Sequence, residues 1–385
     1  MRWILQRLRG DKVIWIVAIL LALVSLLAVY SASSALSFRL RGGDTEYFLL
    51  KHLVLLLLGF VVMFATHLVD YRFFARISNA LLFITISLLI YTIVQGSELN
   101  EAARWITIFG QSFQPSDLAK ITLVIYLARL LTQRQDVIKD FTEGFLPALF
   151  WVTVICGLIA PSDLSTAGLM FIASVLVMFV AGVDMKYVGI LVLVALMGLM
   201  ILTRTAKRSG TWQSRWSDYT ERITNPEYDG SFQIVTSHIA IASGGLFGKG
   251  VGKSTQRNFL PHAHADFVFA IIVEEFGLVG AGVVIALYLL LLFRSVIIVT
   301  VSKTFGALLA CGLSSLLVLQ AVMNMGVTVG LLPVTGLTLP IISMGGTSIL
   351  TTGVSIGIIL SVSREAIERK TDKRVVQKQP RFSVA

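Results

Sequence analysis

Asp266 is the residue whose type and setting most invite chemistry. It stands in Leu260-Pro261-His262-Ala263-His264-Ala265-Asp266-Phe267, where a basic, glycine-rich stretch gives way to an apolar run. A carboxylate near a helix N-terminus is held as the anion by the helix dipole, so capping is a sufficient role for it. Partial burial would raise its pKa and suit it to general-base work, the sharper role. Glu274 and Glu275 lie two turns deeper. A charge in the middle of a bilayer costs about 2.5–3.5 kcal/mol, so both are expected to face a polar cavity or a partner. His262 and His264 could bind a metal with Asp266, but alternating loop histidines are a weaker signal than capping.

Cations and glycines supply the second set of candidates. Gln114-Pro115-Ser116-Asp117-Leu118-Ala119-Lys120 reads as a helix start, with proline in the first turn, Ser116 or Asp117 as cap, and Lys120 one turn inside. Lys120 can snorkel to an interface or offer its charge to an anionic lipid head. Arg104-Trp105 reads as an interfacial anchor with the same alternative. Gly244 to Thr255 invites a P-loop reading, which fails: Phe247 breaks the spacing and no strand precedes it. What survives is a set of backbone N–H groups with Lys249 and Lys253, able to cradle a phosphate, against the plain reading of a turn-rich loop. Leu332 to Ser348 holds two prolines and three glycines in an apolar setting, which predicts a re-entrant or broken segment. Gly326-x-x-x-Gly330 and Gly353-x-x-x-Gly357 flank it and predict close helix packing.

These residues need elements to hold them, and composition names the class. Of 385 residues, 56% are hydrophobic and 14% charged, against roughly 25% charged in soluble domains. Apolar runs of about 17–25 residues predict an all-α integral membrane protein with about ten spans. These are roughly 13–34, 49–69, 76–95, 115–131, 145–160, 165–182, 187–203, 267–300, 305–330 and 345–363. Arg2, Arg7, Arg9 and Lys12 before the first span, and the arginines and lysines of alternate short loops, predict cytoplasmic N and C termini. Arg39, Arg41 and Lys51 on the other side, partly offset by Asp44 and Glu46, run against that pattern. A long extracytoplasmic loop, 204–265, is then predicted between helices 7 and 8. It is basic, and Trp212, Trp216, Tyr219 and Phe232 predict that it folds onto the membrane surface. Residues 1–370 read as one domain, followed by a basic, disordered cytoplasmic tail at 371–385. Cys156 and Cys311 sit in apolar runs and read as buried hydrophobes. Ser-x-x-Lys, His-Glu-x-x-His and Gly-x-Ser-x-Gly are absent, so common hydrolase and zinc-protease readings have no support.

Taken together, the motifs resemble the SEDS (shape, elongation, division, sporulation) family, represented by FtsW and RodA. The matching pieces run in family order from Arg104-Trp105-Ile106 and Gln114 through Lys120 to Asp163-Leu164-Ser165-Thr166 and Asn225-Pro226. They continue with Gly244 through Gly250, Leu260-Pro261 through Phe267, Glu274-Glu275-Phe276-Gly277 and Leu332 through Ser343. Val334-Thr335-Gly336 is closer to the FtsW branch. His262, Ala265, Asp117, Met344 and Ala103 depart from the commoner family residues. The resemblance implies a ten-helix fold that polymerises lipid II into β-1,4-linked glycan strands on the outer face of the bacterial cytoplasmic membrane, at the division septum. It implies Asp266 as the catalytic aspartate and Lys120 as the family lysine. Arg104, Lys249, Lys253, Ser343 and Glu275 join Lys120 as candidate substrate contacts. A divalent cation, magnesium or manganese, is a candidate cofactor. A class B penicillin-binding protein and divisome proteins are the implied partners, and no nucleic acid is. A lipid II flippase and a non-catalytic scaffold remain the competing readings.

Overall fold

The computed structural model describes residues 10–41, 45–95, 97–99, 102–108, 111–205, 208–225, 230–261 and 263–378. Arg2, Arg7, Arg9, Asp44, Pro226 and His262, which entered the sequence reading, lie outside them. Helices occupy all ten expected span positions. In chain order these are α1 (Lys12–Arg41), α2 (Thr45–Leu68), α3 (Tyr71–Gln95), α4 (Pro115–Gln133) and α5 (Leu146–Ile159). They continue as α6 (Leu164–Ala181), α7 (Met185–Thr205), α10 (Val268–Val301), α11 (Thr304–Thr328) and α12 (Gly346–Lys378). Eight helices among the described residues are long and apolar enough to cross a membrane, and the protein is a multi-pass membrane protein. The two others are α4, which carries Asp117, Lys120 and Arg129, and α7, whose apolar stretch is Lys186–Ile201. α12 continues to Lys378, past the point where the tail is expected to lose order.

Two features depart from a plain bundle. Between α3 and α4 lies a three-stranded antiparallel sheet of β1 (Ser97–Leu99), β2 (Ala102–Ile108) and β3 (Gln111–Phe113). β2 is rich in β-branched and aromatic residues, which suit a pleated strand, and it carries Arg104 and Trp105 over the end of the bundle. The long loop holds two further helices, α8 (Ser209–Thr224) and α9 (Phe232–Gly244). Ile234 and Ala240 of α9 are buried against the first part of α10.

Gly353-x-x-x-Gly357 packs as its spacing predicts: a Cβ on Gly353 would lie 2.5 Å from Gly59 O, and one on Gly357 2.6 Å from Met63 O. Gly326-x-x-x-Gly330 does not. Gly330 has φ +78° just past the end of α11, with the side chains of Arg222 and His238 filling the space where its Cβ would stand.

Beyond α11 the chain is irregular to Gly345, and Leu337, Leu339, Ile342 and Ser343 within it are buried. Buried main-chain carbonyls need donors, and polar side chains on the surrounding helices provide them. Gln320 Nε2 donates to Thr338 O (2.8 Å), Asn324 Nδ2 to Leu337 O (2.7 Å), and Ser25 Oγ to Ile342 O (2.8 Å). Tyr288 OH donates to Pro340 O at 2.5 Å. Between the last two anchors Ile341 takes φ +67°, a strained conformation for a β-branched residue that persists only where its neighbours fix it.

α10 is broken at Gly277 (φ +69°, ψ −167°). The loop after α9 exchanges main-chain bonds with the break: Lys249 N and Gly250 N donate to Glu274 O and Glu275 O, each at 3.0 Å. In return Leu278 N and Val279 N donate to Gly245 O (3.0 Å) and Leu246 O (3.2 Å). Three glycines permit this approach. A Cβ on Gly248 would sit 2.1 Å from Glu275 O, one on Gly244 2.1 Å from Val273 O, and one on Gly277 2.3 Å from Leu246 O. The Glu274 side chain locks the same loop. Fully buried, it accepts from Lys249 Nζ (2.7 Å), Ser254 Oγ (2.5 Å), Thr255 N (3.0 Å) and Thr255 Oγ1 (2.9 Å). The amides of Gly248, Lys249 and Gly250 therefore serve the fold and are not turned to a phosphate.

Gly248→Ala is expected to separate loop from helix and to lower the melting temperature in detergent far more than Gly252→Ala. Gly252 has φ +76° but nothing within 4 Å of its Cβ, so its substitution costs only backbone strain, about 1–2 kcal/mol. Equal losses would mean that the close approach is not what Gly248 serves. Glu274→Gln is expected to weaken the lock by about 1–3 kcal/mol and to speed trypsin cleavage at Lys253 and Arg257. Unchanged cleavage would assign the loop's order to its main-chain bonds alone.

Candidate active site

The described residues enclose a cavity of about 700 Å³ at the end of the bundle where the sheet and α8 lie. β2, the first turns of α4, the corner before α6, the start of α8, the turn at Asp266, the irregular segment and the start of α12 all contribute to its wall. Its ionisable lining is four cations, Arg104, Lys120, Arg208 and Arg215, and three carboxylates, Asp117, Asp163 and Asp266.

Lys120 is buried and neither snorkels nor stands free. Its Nζ pairs with Asp117 Oδ1 one turn back (2.8 Å) and donates to Gln320 Oε1 (3.2 Å). The other Asp117 oxygen accepts from Thr347 Oγ1 (2.7 Å). Neither Asp117 nor Ser116 caps α4: the N-cap position is Gln114, without a side-chain cap bond, and Pro115 follows. Gln320 in turn holds Thr338, whose hydroxyl meets Ser348 Oγ at 3.0 Å. One polar chain thus joins α4, α11, the irregular segment and α12 along the cavity wall.

Asp163 caps α6 by accepting from Thr166 N (3.2 Å). Its other oxygen faces Arg104 Nη1 at 3.5 Å. The Ser162 carbonyl accepts from Arg104 Nε (2.6 Å) and from Arg208 Nη1 (2.9 Å). The Pro161-Ser162-Asp163 corner therefore holds both the sheet and the entry to α8. Arg215 donates to Val334 O (3.1 Å). Burial lowers its pKa first and the charge of Arg104 lowers it further, while Asp163 and Asp266 pull it back up. Asp266 lies within electrostatic reach of that guanidinium.

Asp266 is half-buried and stands one residue before Phe267, the N-cap of α10. Its carbonyl accepts from Asn324 Nδ2 (2.8 Å), and a Cβ on Gly336 (φ +74°) would lie 3.7 Å from its Oδ2. A Cβ there would be in ordinary van der Waals contact with the carboxylate, and the positive φ is what favours glycine. Ser343 supports this turn from beneath: its Oγ donates to Ala265 O (2.5 Å) and accepts from Leu339 N (2.7 Å), while Met344 N donates to His264 O (2.9 Å).

Of the candidates from sequence, Asp266, Lys120 and Arg104 line this cavity; Lys249, Lys253, Ser343 and Glu275 are not among its lining residues. Lys249 is held by Glu274, Lys253 is exposed, and Glu275 is buried, accepting from Ser31 Oγ and from Ser254 N (3.2 Å). Ser343 acts one layer behind. Arg208 and Arg215 enter the site without having been singled out, and Asp163, named only as part of a family motif, joins them; Gln320 and Asn324, buried amides four residues apart in an apolar span, carried a readable signal. Among the described residues no group of three His, Cys, Asp or Glu side chains is placed to hold a metal ion. Asp117 and Asp163 are each already engaged by a cation. Among the described residues the carboxylates of the lining are thus not gathered into a ligand set of three.

Residues 11–368 match the family described as "Cell cycle protein", FtsW/RodA/SpoVE. A Geobacter sp. (strain M18) protein named "Probable peptidoglycan glycosyltransferase FtsW" is 36% identical, over 93% of this chain and 98% of its own length. The stage V sporulation protein E of Bacillus subtilis is 33% identical, over 92% and 97%. Among solved structures, a chain from a peptidoglycan synthase complex that coordinates polymerization and crosslinking superposes with TM-score 0.70 at 27% identity, covering 93% of this chain and 98% of that one. Thermus thermophilus rod shape determining protein RodA gives 0.68 at 26%, over 92% and 97%. The cation-lined cavity is thus set in a fold shared along nearly its whole length, and the chain belongs to the FtsW/RodA/SpoVE family.

Proposed function

We propose that this protein is a peptidoglycan glycosyltransferase that polymerises lipid II on the outer face of the bacterial cytoplasmic membrane, in septal wall synthesis. The observation that carries the reading is the Asp266 carboxylate at the rim of a cation-lined cavity in a membrane-spanning bundle. A lipid-linked disaccharide pyrophosphate brings its anionic group to just this depth. Asp266 takes the proton from the 4-hydroxyl of the acceptor GlcNAc as that oxygen attacks C1 of the donor MurNAc. The C1–O bond to the pyrophosphate breaks, its electron pair leaves with undecaprenyl pyrophosphate, and the anomeric centre inverts to a β-1,4 link. A pyrophosphate leaving group needs neutralisation more than protonation. Arg215, a lining guanidinium within electrostatic reach of Asp266, suits that task. The partner is a class B penicillin-binding protein within the divisome, in keeping with the crosslinking that accompanies polymerization in the related synthase complex.

Polymerisation of labelled lipid II by the purified protein with that partner tests the reading. Asp266→Asn is expected to lose at least about a hundredfold in rate, the range for a general base, with partner binding intact. Near-full polymer from the variant would remove Asp266 as the base. No polymer from the wild type would move the assignment to a flippase or scaffold. Arg215→Gln is expected to lower polymer yield at subsaturating lipid II, whereas Lys253→Gln leaves it unchanged; the reverse pattern would return the phosphate contact to the glycine-rich loop.

A further inference from the structure

The far end of the bundle holds a second basic hollow. α3 leads from Arg72 and Arg76 to the sheet that carries Arg104, α4 from Lys120 to Arg129 and Gln133, and α11 from Phe305 to Gln320. Arg72, Arg76, Arg129, Thr132, Gln133 and Phe305 line a depression of about 300 Å³. α3 has 25 residues, about 37 Å of helix at 1.5 Å per residue. Asn324, which holds Asp266 O, lies 19 residues along α11 from Phe305, about 28 Å of helix, so the hollow and Asp266 stand toward opposite ends of the bundle.

A solvated basic end is the ordinary consequence of the charge bias of membrane proteins. Three observations go beyond it. First, guanidinium groups from two helices converge on one concavity, and among the described residues only Arg72 of the three has a carboxylate partner, with Nη2 at 2.6 Å from Glu365 Oε1. Asp70 beside it is turned to the start of α3, accepting from Arg72 N at 2.9 Å. Second, Arg129 is half-buried and held in place by Nη1 alone, which donates to Ser78 Oγ (2.8 Å) and Asn79 Oδ1 (2.9 Å). Its remaining N–H groups, and the whole Arg76 guanidinium, have no hydrogen-bond or ion-pair partner among the described residues. Third, the hollow lies in the first turns of the apolar stretches Tyr71–Gln95 and Thr304–Thr328, the ends that a bilayer places near its headgroups, with exposed Phe73 next to Arg72.

We infer that this hollow binds the phosphodiester of an anionic membrane phospholipid. Arg76 and Arg129 take the phosphate oxygens, a task that suits the planar fork of arginine. Arg72 closes the third side, and the acyl chains lie along the exposed apolar face beside Phe73. A bound lipid would add to the contacts that already join these helix ends, the Arg129 bonds to Ser78 and Asn79 of α3 and the stacking of Tyr71 on Phe305. The inference stands apart from the reading of the Asp266 cavity.

The test is native mass spectrometry of the full chain in phosphatidylcholine nanodiscs into which phosphatidylglycerol is titrated. The wild type is expected to retain phosphatidylglycerol over phosphatidylcholine by about 25-fold, and R76Q/R129Q to lose that preference. Each basic residue near a surface contributes about 1 kcal/mol toward anionic lipid, roughly fivefold in affinity. Lys186→Gln, at an exposed lysine outside the hollow, should retain the wild-type preference, and R76K/R129K should fall between. Equal retention of the two lipids by the wild type overturns the inference without recourse to any variant, so a misfolded double variant cannot rescue it. A folded R76Q/R129Q with undiminished preference overturns it too. Soluble glycerol 3-phosphate is the third arm: displacement of phosphatidylglycerol at equimolar concentration would mean a site for a free phosphate ester instead of a lipid.

Discussion

A bilayer core offers no water to a peptide group, so every stretch of this chain that leaves the helix at membrane depth must find its hydrogen bonds in protein. Two stretches do so. The segment after α11 receives donors from Gln320, Asn324, Ser25 and Tyr288. The break at Gly277 is closed by the loop after α9, which returns main-chain bonds in both directions. The polar residues buried in the helices are placed largely by this requirement. Their positions in turn set where the backbone may bend, and the bends define the walls of the cavity.

The same residues then acquire a second role. Gln320 holds Thr338 with its amide nitrogen and Lys120 with its oxygen. Asn324 holds both Leu337 O and Asp266 O through one amide group. Support of the irregular segment and placement of the site residues are therefore one network. Charge is distributed unevenly along it: two carboxylates of the cavity are matched by cations, while Arg208 and Arg215 arrive from outside the bundle on α8 and its approach. The cavity is polar because the fold needs donors there, and cationic because a loop helix adds two guanidinium groups.

Much of this was legible in the residues. The apolar runs place every long helix, because span length follows from bilayer thickness. Leu332 to Ser348 reads as broken on its prolines and glycines, and Gly353-x-x-x-Gly357 reads as packing. Three things were not legible. The sheet at 97–113 was missed because its strands are short and have little periodicity of their own. The role of the Gly244–Gly252 stretch was missed because glycines that admit a phosphate and glycines that admit a carbonyl look alike in sequence; only Glu275 O and Val273 O in the vacant Cβ positions distinguish them. The pairing of Arg104 with Asp163, and the arrival of Arg208 and Arg215, depend on contacts between residues far apart in the chain, which local spacing does not encode.

The stretch of α10 between Asp266 and Gly277 is held at both ends. Ser343, Met344 and Asn324 fix the turn at 264–266, and the glycine loop fixes the backbone at 274–279. A short helical rod pinned at two points has no free rotational phase. One residue added or removed within it would turn one end against the other by about 100° and shift it by about 1.5 Å. Either the carboxylate would leave the cavity or the loop would lose its register on the helix break. The length of this stretch, apart from the identity of any residue in it, is thus a structural constant of the protein: side chains there can vary within the limits of packing, but the count of peptide units cannot.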